Sequence, residues 1–472
     1  MNASPTHPLP GHYLFGALLT LLVLIPLPHG GELAWEQLPF ISASFLLLTL
    51  WCWQQWHNNR PPPAILHTLR TPLIIFAAWL LYIALQTVPL PMVLLETVSP
   101  TANALKQAVP LAAATSLSVD PASTLLELLR YTSYLTLFFL LLVLCNSVKR
   151  LKLVALTLFL VGLLQALYSL LNYYTHGVFS LNEPIPPWGT PWSDATRGTY
   201  THRNHFAALM EMTIPMGMAL IIVASTKAYS GVDHWQHRLN RLLEFMMSVR
   251  MLYSFCIVLM LTALIFTSSR GGNAAFAGAF FITSLSFLLL RGSQSHTVKL
   301  VPAVIILTMI IAALFGTGKL TDRLEKEGLG PNGRDYMRTG IVNLIRDYPL
   351  FGSGAGTYPQ LFAAYKLPDL GVSAMSKRAH NDYLELISDQ GVIGFGLLGG
   401  GMILLLSNIW VGIGRRRDPT MTGLLYGSCL GITSMLIHAF VEFNFHIPAN
   451  ATYFFVLLAI GVIAANLRTD RT

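Results

Sequence analysis

Charge is what this sequence has least of. Of its 472 residues, 11% are Asp, Glu, Lys or Arg and 53% are hydrophobic, whereas about 25% of a soluble globular protein is charged. That shortage excludes an ordinary soluble domain and points to a polytopic membrane protein, because a Lys or Arg at the centre of a spanning helix costs about 2.5–3.5 kcal/mol. Cysteine is scarce too. The four, Cys52, Cys145, Cys256 and Cys429, lie in or beside apolar runs without a CxxC pair, which excludes a disulfide framework and a thiolate metal site. Residues 1–12 contain no Lys or Arg, and no small-residue cleavage site follows the first apolar run. That run therefore reads as a retained span and not a cleaved signal peptide. The net charge of +8 does not imply nucleic acid, since basic residues collect on the cytoplasmic side of membrane proteins.

What is present is a succession of long apolar runs. At about 20 apolar residues per span, the expected fold is all-α and polytopic, with about 12 transmembrane helices and one large, partly helical outer loop. Their centres fall near Leu21, Leu47, Trp79, Phe138, Val161, Pro215, Leu259, Phe280, Ile306, Gly401, Ile432 and Ala459. Residues 91–121, interrupted by Pro100 and Pro110, read as a loop with an interfacial piece. With the N-terminus inside, just over half of the 30 basic residues become cytoplasmic, including Lys149, Arg150, Arg415, Arg416 and Arg417. The short outer loop 30–37 then carries only Glu32 and Glu36, as the positive-inside bias requires. Both termini are cytoplasmic on this reading. It divides the chain into residues 1–316 with about nine spans, an outward loop 317–390 with short helices, and residues 391–472 with about three spans.

The outward loop holds Arg323, Arg334, Arg338, Arg346, Lys366, Lys377, Arg378 and His380, on the side where positive charge is normally sparse. Either it is a solvated basic face or it handles an anion. In GRDYMRTGIVNLIRDYP the spacing predicts a helix ended by Pro349, with Met337, Ile341, Leu344 and Ile345 as an apolar stripe. Arg334 falls on that stripe and needs an anionic partner. A phosphate suits its planar fork; Glu211 and Glu442 are the structural alternatives. Gly352, Gly354 and Gly356 follow, without a preceding strand or a Walker lysine, so they read as a chain reversal rather than a nucleotide loop. In KRAHNDYLELISDQG, Asn381 is the expected N-cap of a short helix and Gly391 its stop. His380 is the one side chain of this loop suited to proton exchange near neutral pH, as a general base or as a structural residue. Arg270, in TSSRGGN, and Arg203, with Arg197, His202, Asn204 and His205, mark two more outer membrane boundaries. His202 and His205 have only Glu211 as a nearby third ligand, so no metal site is assigned.

RGTYTHRNHFA, SSRGG, GRDYMRTGIVNLIRDYPLFGSGAGTY and RAHNDYLELISDQGVIGF occur in that order over residues 197–395, with HAFVEFNFHIPAN following. This pattern resembles the O-antigen ligase and O-antigen polymerase superfamily of the bacterial inner membrane. The resemblance implies a glycosyltransferase with a periplasmic active site that moves a glycan from undecaprenyl diphosphate to an acceptor hydroxyl. The acceptor is lipid A core in a ligase and a growing lipid-linked chain in a polymerase. It implies neither a metal nor a nucleotide cofactor, and the bilayer rather than nucleic acid as surroundings. Matched motif by motif, it assigns catalytic roles to His380, Arg334 and Arg270. Arg203, Asn204, Arg197, Arg338, Arg378 and Asn381 are the expected substrate-binding residues. In this scheme the arginines hold the diphosphate while His380 deprotonates the acceptor, giving inversion. A protein O-glycosyltransferase and a lipid-linked glycan transporter without catalysis are the alternatives.

Overall fold

A computed structural model describes residues 11–59, 61–108, 115–181, 190–224, 248–291, 333–366 and 377–467, with the side chains of 333–336 outside that set. The described elements are helical. Those that frame the site are α1 (Gly11–Leu24), α2 (Ala34–His57), α3 (Arg70–Leu85), α4 (Pro121–Leu144), α5 (Val148–Tyr174), α6 (Arg203–Ala224), α7 (Val249–Phe266), α8 (Arg270–Arg291), α9 (Gly333–Asp347), α10 (Tyr358–Tyr365), α11 (Asp382–Arg415), α12 (Pro419–His438) and α13 (Pro448–Asn466). Their starts follow local chemistry. Asp120 accepts from the amides of Ala122 and Ser123 ahead of Pro121, and Asp418 caps Met421 ahead of Pro419. A carboxylate followed by proline at the first helical position satisfies free amides and presets φ.

Eight of these helices, α4 to α8 and α11 to α13, are long and apolar enough to cross a membrane. The expectation of about 12 is reduced for identifiable reasons. Helices α1 and α3 are apolar but have only 14 and 16 residues. Helix α2 is long but carries Glu36, Gln37, Gln54 and Gln55 and an internal Pro39. The expected span near Ile306 lies outside the described residues. Helices α6 and α13 are almost wholly enclosed, whereas α11 is largely exposed along its apolar stretch. Val392, Ile403 and Trp410 form part of that exposed surface. Helix α12 lays Gly423, Gly427 and Gly431 against α6, the small-residue spacing that lets membrane helices approach closely.

Gly391 was expected to stop a short helix. It does so: with φ 62° and ψ −175° it is a non-helical joint inside the range of α11, which ends the short helix begun at Asp382, and a second helix, long and apolar enough to cross a membrane, starts directly beyond it. The cause is the loop that wedges in at this point. A Cβ on Gly391 would lie 2.2 Å from the Leu350 carbonyl oxygen. In the same place the amides of Val392 and Ile393 donate to the carbonyls of Pro349 and Leu350 at 3.0 and 3.2 Å. The restarted helix thus has its first donors satisfied by the loop.

The glycine-rich segment behaves as the expected reversal. Gly352, Gly354 and Gly356 all have positive φ. The amides of Ser353 and Gly354 donate to the carbonyls of Ser388 and Asp389 at 3.0 and 2.8 Å, and that of Gly356 donates to the Asp389 carboxylate at 2.7 Å. These donors are therefore used by the protein's own acceptors. Helix α3 fastens the same loop from the other side: Tyr82 and Gln86 donate to the Phe351 carbonyl at 2.7 and 2.8 Å, and Trp79 donates to Gln390 at 2.7 Å.

The Gly391 conformation is one that only glycine adopts readily, at a cost of about 1–3 kcal/mol for other residues. Gly391→Ala is expected to lower the thermal unfolding midpoint in detergent by several degrees at least. Gly400→Ala, where an added Cβ meets nothing within 4 Å, is expected to be neutral or slightly stabilising in the same melt.

Candidate active site

The turn between α12 and α13 is the hub of the polar end of the bundle. Its Phe440 carbonyl accepts from the Asn381 side chain at 2.9 Å and, at 3.5 Å, from Arg338 of α9. Ala439 accepts from the amide of Asp382, the first residue of α11, at 2.9 Å. A Cβ on Gly271, the second residue of α8, would lie 2.8 Å from Val441. Glu442 reaches both His380 and Asn204. One five-residue stretch therefore gathers the starts of α6, α8 and α11 together with α9.

His380 Nδ1 lies 2.6 Å from Glu442 Oε1. The imidazole is 28% exposed and the carboxylate 2%. Asn204 Nδ2 donates to the other oxygen, Oε2, and the amide of Phe443 donates to Oε1 at 3.3 Å. The Phe443 ring meets the His380 ring edge to face at 4.9 Å. His380 is itself in the left-handed region at φ 50°. That turn is set by its neighbours: the Ala379 amide is held by Glu385 at 2.8 Å, and Asn381 accepts from Leu384 N at 3.0 Å, the N-cap its position predicts.

Beneath His380 lies a layer of buried charge. Arg378 donates to Glu385 at 2.8 Å and approaches Glu127 to 3.9 Å. Arg130 also bonds to Glu127 and donates to Gln37 at 2.6 Å. Burial works against the Arg378 charge, but the carboxylates of Glu385 and Glu127 hold its pKa above the usual arginine range. His446 sits 3.2 Å from Glu385 and 3.7 Å from Asp382. Burial first, then Arg378 and Arg130, push it well below the ordinary histidine range, so it meets these carboxylates as a neutral ring. A largely apolar cavity of about 170 Å³ adjoins this layer, running from Asp382 and Tyr383 past Phe395 to Met402.

The expected site residues separate by environment. Arg270 opens α8 and is exposed beside the hub. Arg203 and Asn204 open α6 at the same end, half-buried. Arg338 touches the hub, and Arg334 lies one turn before it on α9, where i and i+4 share a face; its side chain is outside the described residues. The stripe assigned to that helix does face inwards, with Ile341 and Leu344 fully buried. Arg378 is engaged by carboxylates, and both ends of the Asn381 side chain are bonded to backbone. Arg197 is fully buried, donates to the Tyr200 carbonyl at 2.9 Å and stacks on Trp192 at 4.1 Å. Its setting is that of an internal tie. The two carboxylates named as partners for Arg334 bond to histidines: Glu442 to His380, and Glu211 to His438 at 2.8 Å.

Sequence reasoning missed the pairing of His380 with Glu442, which are 62 positions apart. It also missed the buried layer, although Asp382, Glu385 and Asp389 recur at helical spacing on one face of α11.

Fold and site together define an all-helical, polytopic membrane protein with a polar site at one end of its bundle, built around a carboxylate-bound histidine and arginine-bearing helix starts. Residues 255–399 match the family model Wzy_C, described as O-Antigen ligase, so this stretch is similar to that family. No curated protein matches the chain. The matched stretch contains Arg270, Arg334, Arg338, Arg378, His380 and Asn381, while Arg203, Asn204 and Glu442 come from outside it.

Removing one member of a buried ion pair costs about 3–5 kcal/mol. Arg378→Ala is accordingly expected to destabilise the detergent-solubilised protein by about that amount, measured by denaturant unfolding, by stranding Glu385 and Glu127. Adding Glu385→Gln should recover part of the loss.

Proposed function

We propose that this protein is a periplasmic-face glycosyltransferase of the bacterial inner membrane. It transfers a glycan from undecaprenyl diphosphate to an acceptor hydroxyl, with lipid A core as the acceptor and O-antigen as the transferred glycan. The observation that carries the reading is the convergence on the 439–443 turn of His380, Arg338 and the start of α8 that bears Arg270, within a region similar to O-antigen ligases.

In this reaction the acceptor oxygen attacks the anomeric carbon, the bond from that carbon to the diphosphate oxygen breaks, and the hydroxyl proton passes to His380. Attack from the face opposite the leaving group inverts the anomeric centre. Negative charge grows on the departing diphosphate, and arginines positioned there lower the barrier; one such donor contributes about 2.7–4 kcal/mol. Arg270 and Arg334 take this role, with Arg203 and Arg338 assisting. Arg378 and Arg197, already engaged inside the protein, hold the site's framework. Support for a lipid donor comes from the apolar cavity that begins two residues from His380 and follows α11, a slot of suitable character for an isoprenoid chain. No step requires a metal or a nucleotide.

The test is reconstitution of the purified protein with a defined undecaprenyl-diphosphate glycan and lipid A core, the product being identified by mass. Glycan joined to lipid A core is expected. Longer lipid-linked chains would show a polymerase instead, and movement across liposomes without a new bond would show a transporter. His380→Ala and Arg270→Ala are each expected to reduce transfer by about 10²–10³-fold. Full transfer by both variants would overturn the assignment.

A further inference from the structure

Among the carboxylate–imidazole pairs, Glu211–His438 and Glu442–His380 meet the chain four positions apart, at His438 and Glu442, and they differ in access. Glu211 and His438 are both almost completely enclosed, 0% and 1% exposed, under the start of α8, where Gly272 leaves room for the Glu211 carboxylate. The Glu442–His380 pair has an equally buried carboxylate but an imidazole that reaches the surface. Only the second pair can exchange a proton with a bound molecule.

We propose that Glu442 is a positioning residue for the base, fixing both the tautomer and the direction of His380, with Asn204 holding Glu442 in turn. This rests on the glycosyltransferase reading given above. A carboxylate can only accept, so the Nδ1 atom facing it carries hydrogen and Nε2 keeps its lone pair. The base is therefore presented on the ring edge away from Glu442. Three donors, His380 Nδ1, Asn204 Nδ2 and the Phe443 amide, fix the two carboxylate oxygens in place. Phe443 packs edge to face against the ring at 4.9 Å. During transfer the acceptor proton arrives at Nε2 and Nδ1 keeps its own, so the ring becomes an imidazolium bonded to Glu442. In a serine-protease triad, replacing the equivalent carboxylate by its amide lowers kcat by about 10⁴-fold through the wrong tautomer. A partly exposed ring with more freedom should show a smaller effect.

The experiment compares Glu442→Gln, Glu442→Asp and Asn204→Ala in the reconstituted transfer assay, with His380→Ala and a thermal melt alongside. Glu442→Gln is expected to lower kcat by about 10²–10³-fold, less than the triad case, with KM for the lipid-linked donor changed less than threefold, the pattern of a group that acts on the chemical step. Glu442→Asp, which keeps the carboxylate, should recover at least tenfold over the Gln variant, and Asn204→Ala should fall between wild type and Glu442→Gln. If Glu442→Gln keeps kcat within threefold of wild type while His380→Ala is inactive, the positioning role is overturned and the transferase reading stands. If Gln and Asp variants lose activity equally and in step with their melting temperature, Glu442 is a packing residue and the proposal fails. If His380→Ala is itself active, the reading beneath it fails first.

Discussion

The pairing of Glu442 with His380 is the contact on which the polar end of this molecule turns. A carboxylate with almost no exposure needs its oxygens satisfied, and the groups that satisfy this one come from three places: the loop before α11, the start of α6, and the turn after α12. Meeting that electrostatic requirement draws distant segments together at a single point. The hub turn does the same with its carbonyls, accepting from Asn381, Arg338 and Asp382. Polar satisfaction at the end of an apolar bundle is thus the force that assembles the site, while the spans supply its rigidity through α6 and α13.

The arginines divide into two populations that composition alone does not separate. Arg130, Arg197 and Arg378 are consumed by internal partners: a carboxylate and an amide oxygen, a carbonyl with an indole face, and a pair of carboxylates. Arg203 and Arg270 open α6 and α8 at the end of the bundle that holds the hub, and Arg338, inside α9, reaches the Phe440 carbonyl. Arg378 contributes differently. By neutralising Glu385 and Glu127 it lets the chain turn sharply through Ala379 and His380, so a substitution there would reach the chemistry through geometry.

Much of the architecture was legible because the bilayer demands a simple code. Long apolar runs gave the spans, Asn381 gave a helix start, Pro349 a helix end, and three alternating glycines a reversal. What failed did so for stated reasons. Gly391 ends the short helix as its residue type indicates, but that a second helix restarts at once depends on the docking of residues 349–352, which the local sequence does not show. The partner of His380 left no local trace, since Glu442 is brought to it by tertiary packing. Nothing near Arg378 and Asn381 in sequence reveals that Glu127, from α4, and the Phe440 carbonyl engage them. Motif resemblance named residues of which several meet at one end of the bundle; which of them are held by internal partners required coordinates.

The interruption at Gly391 has a mechanical consequence. The segment of α11 that bears His380 at its head is riveted by hydrogen bonds to the 349–357 loop and through it to α3, while the apolar segment beyond the break is largely exposed. Because the backbone ladder is handed over to Pro349 and Leu350 at that joint, the two segments are not joined by a continuous run of helical hydrogen bonds. His380 and its contact with Glu442 lie on the fastened side of that joint.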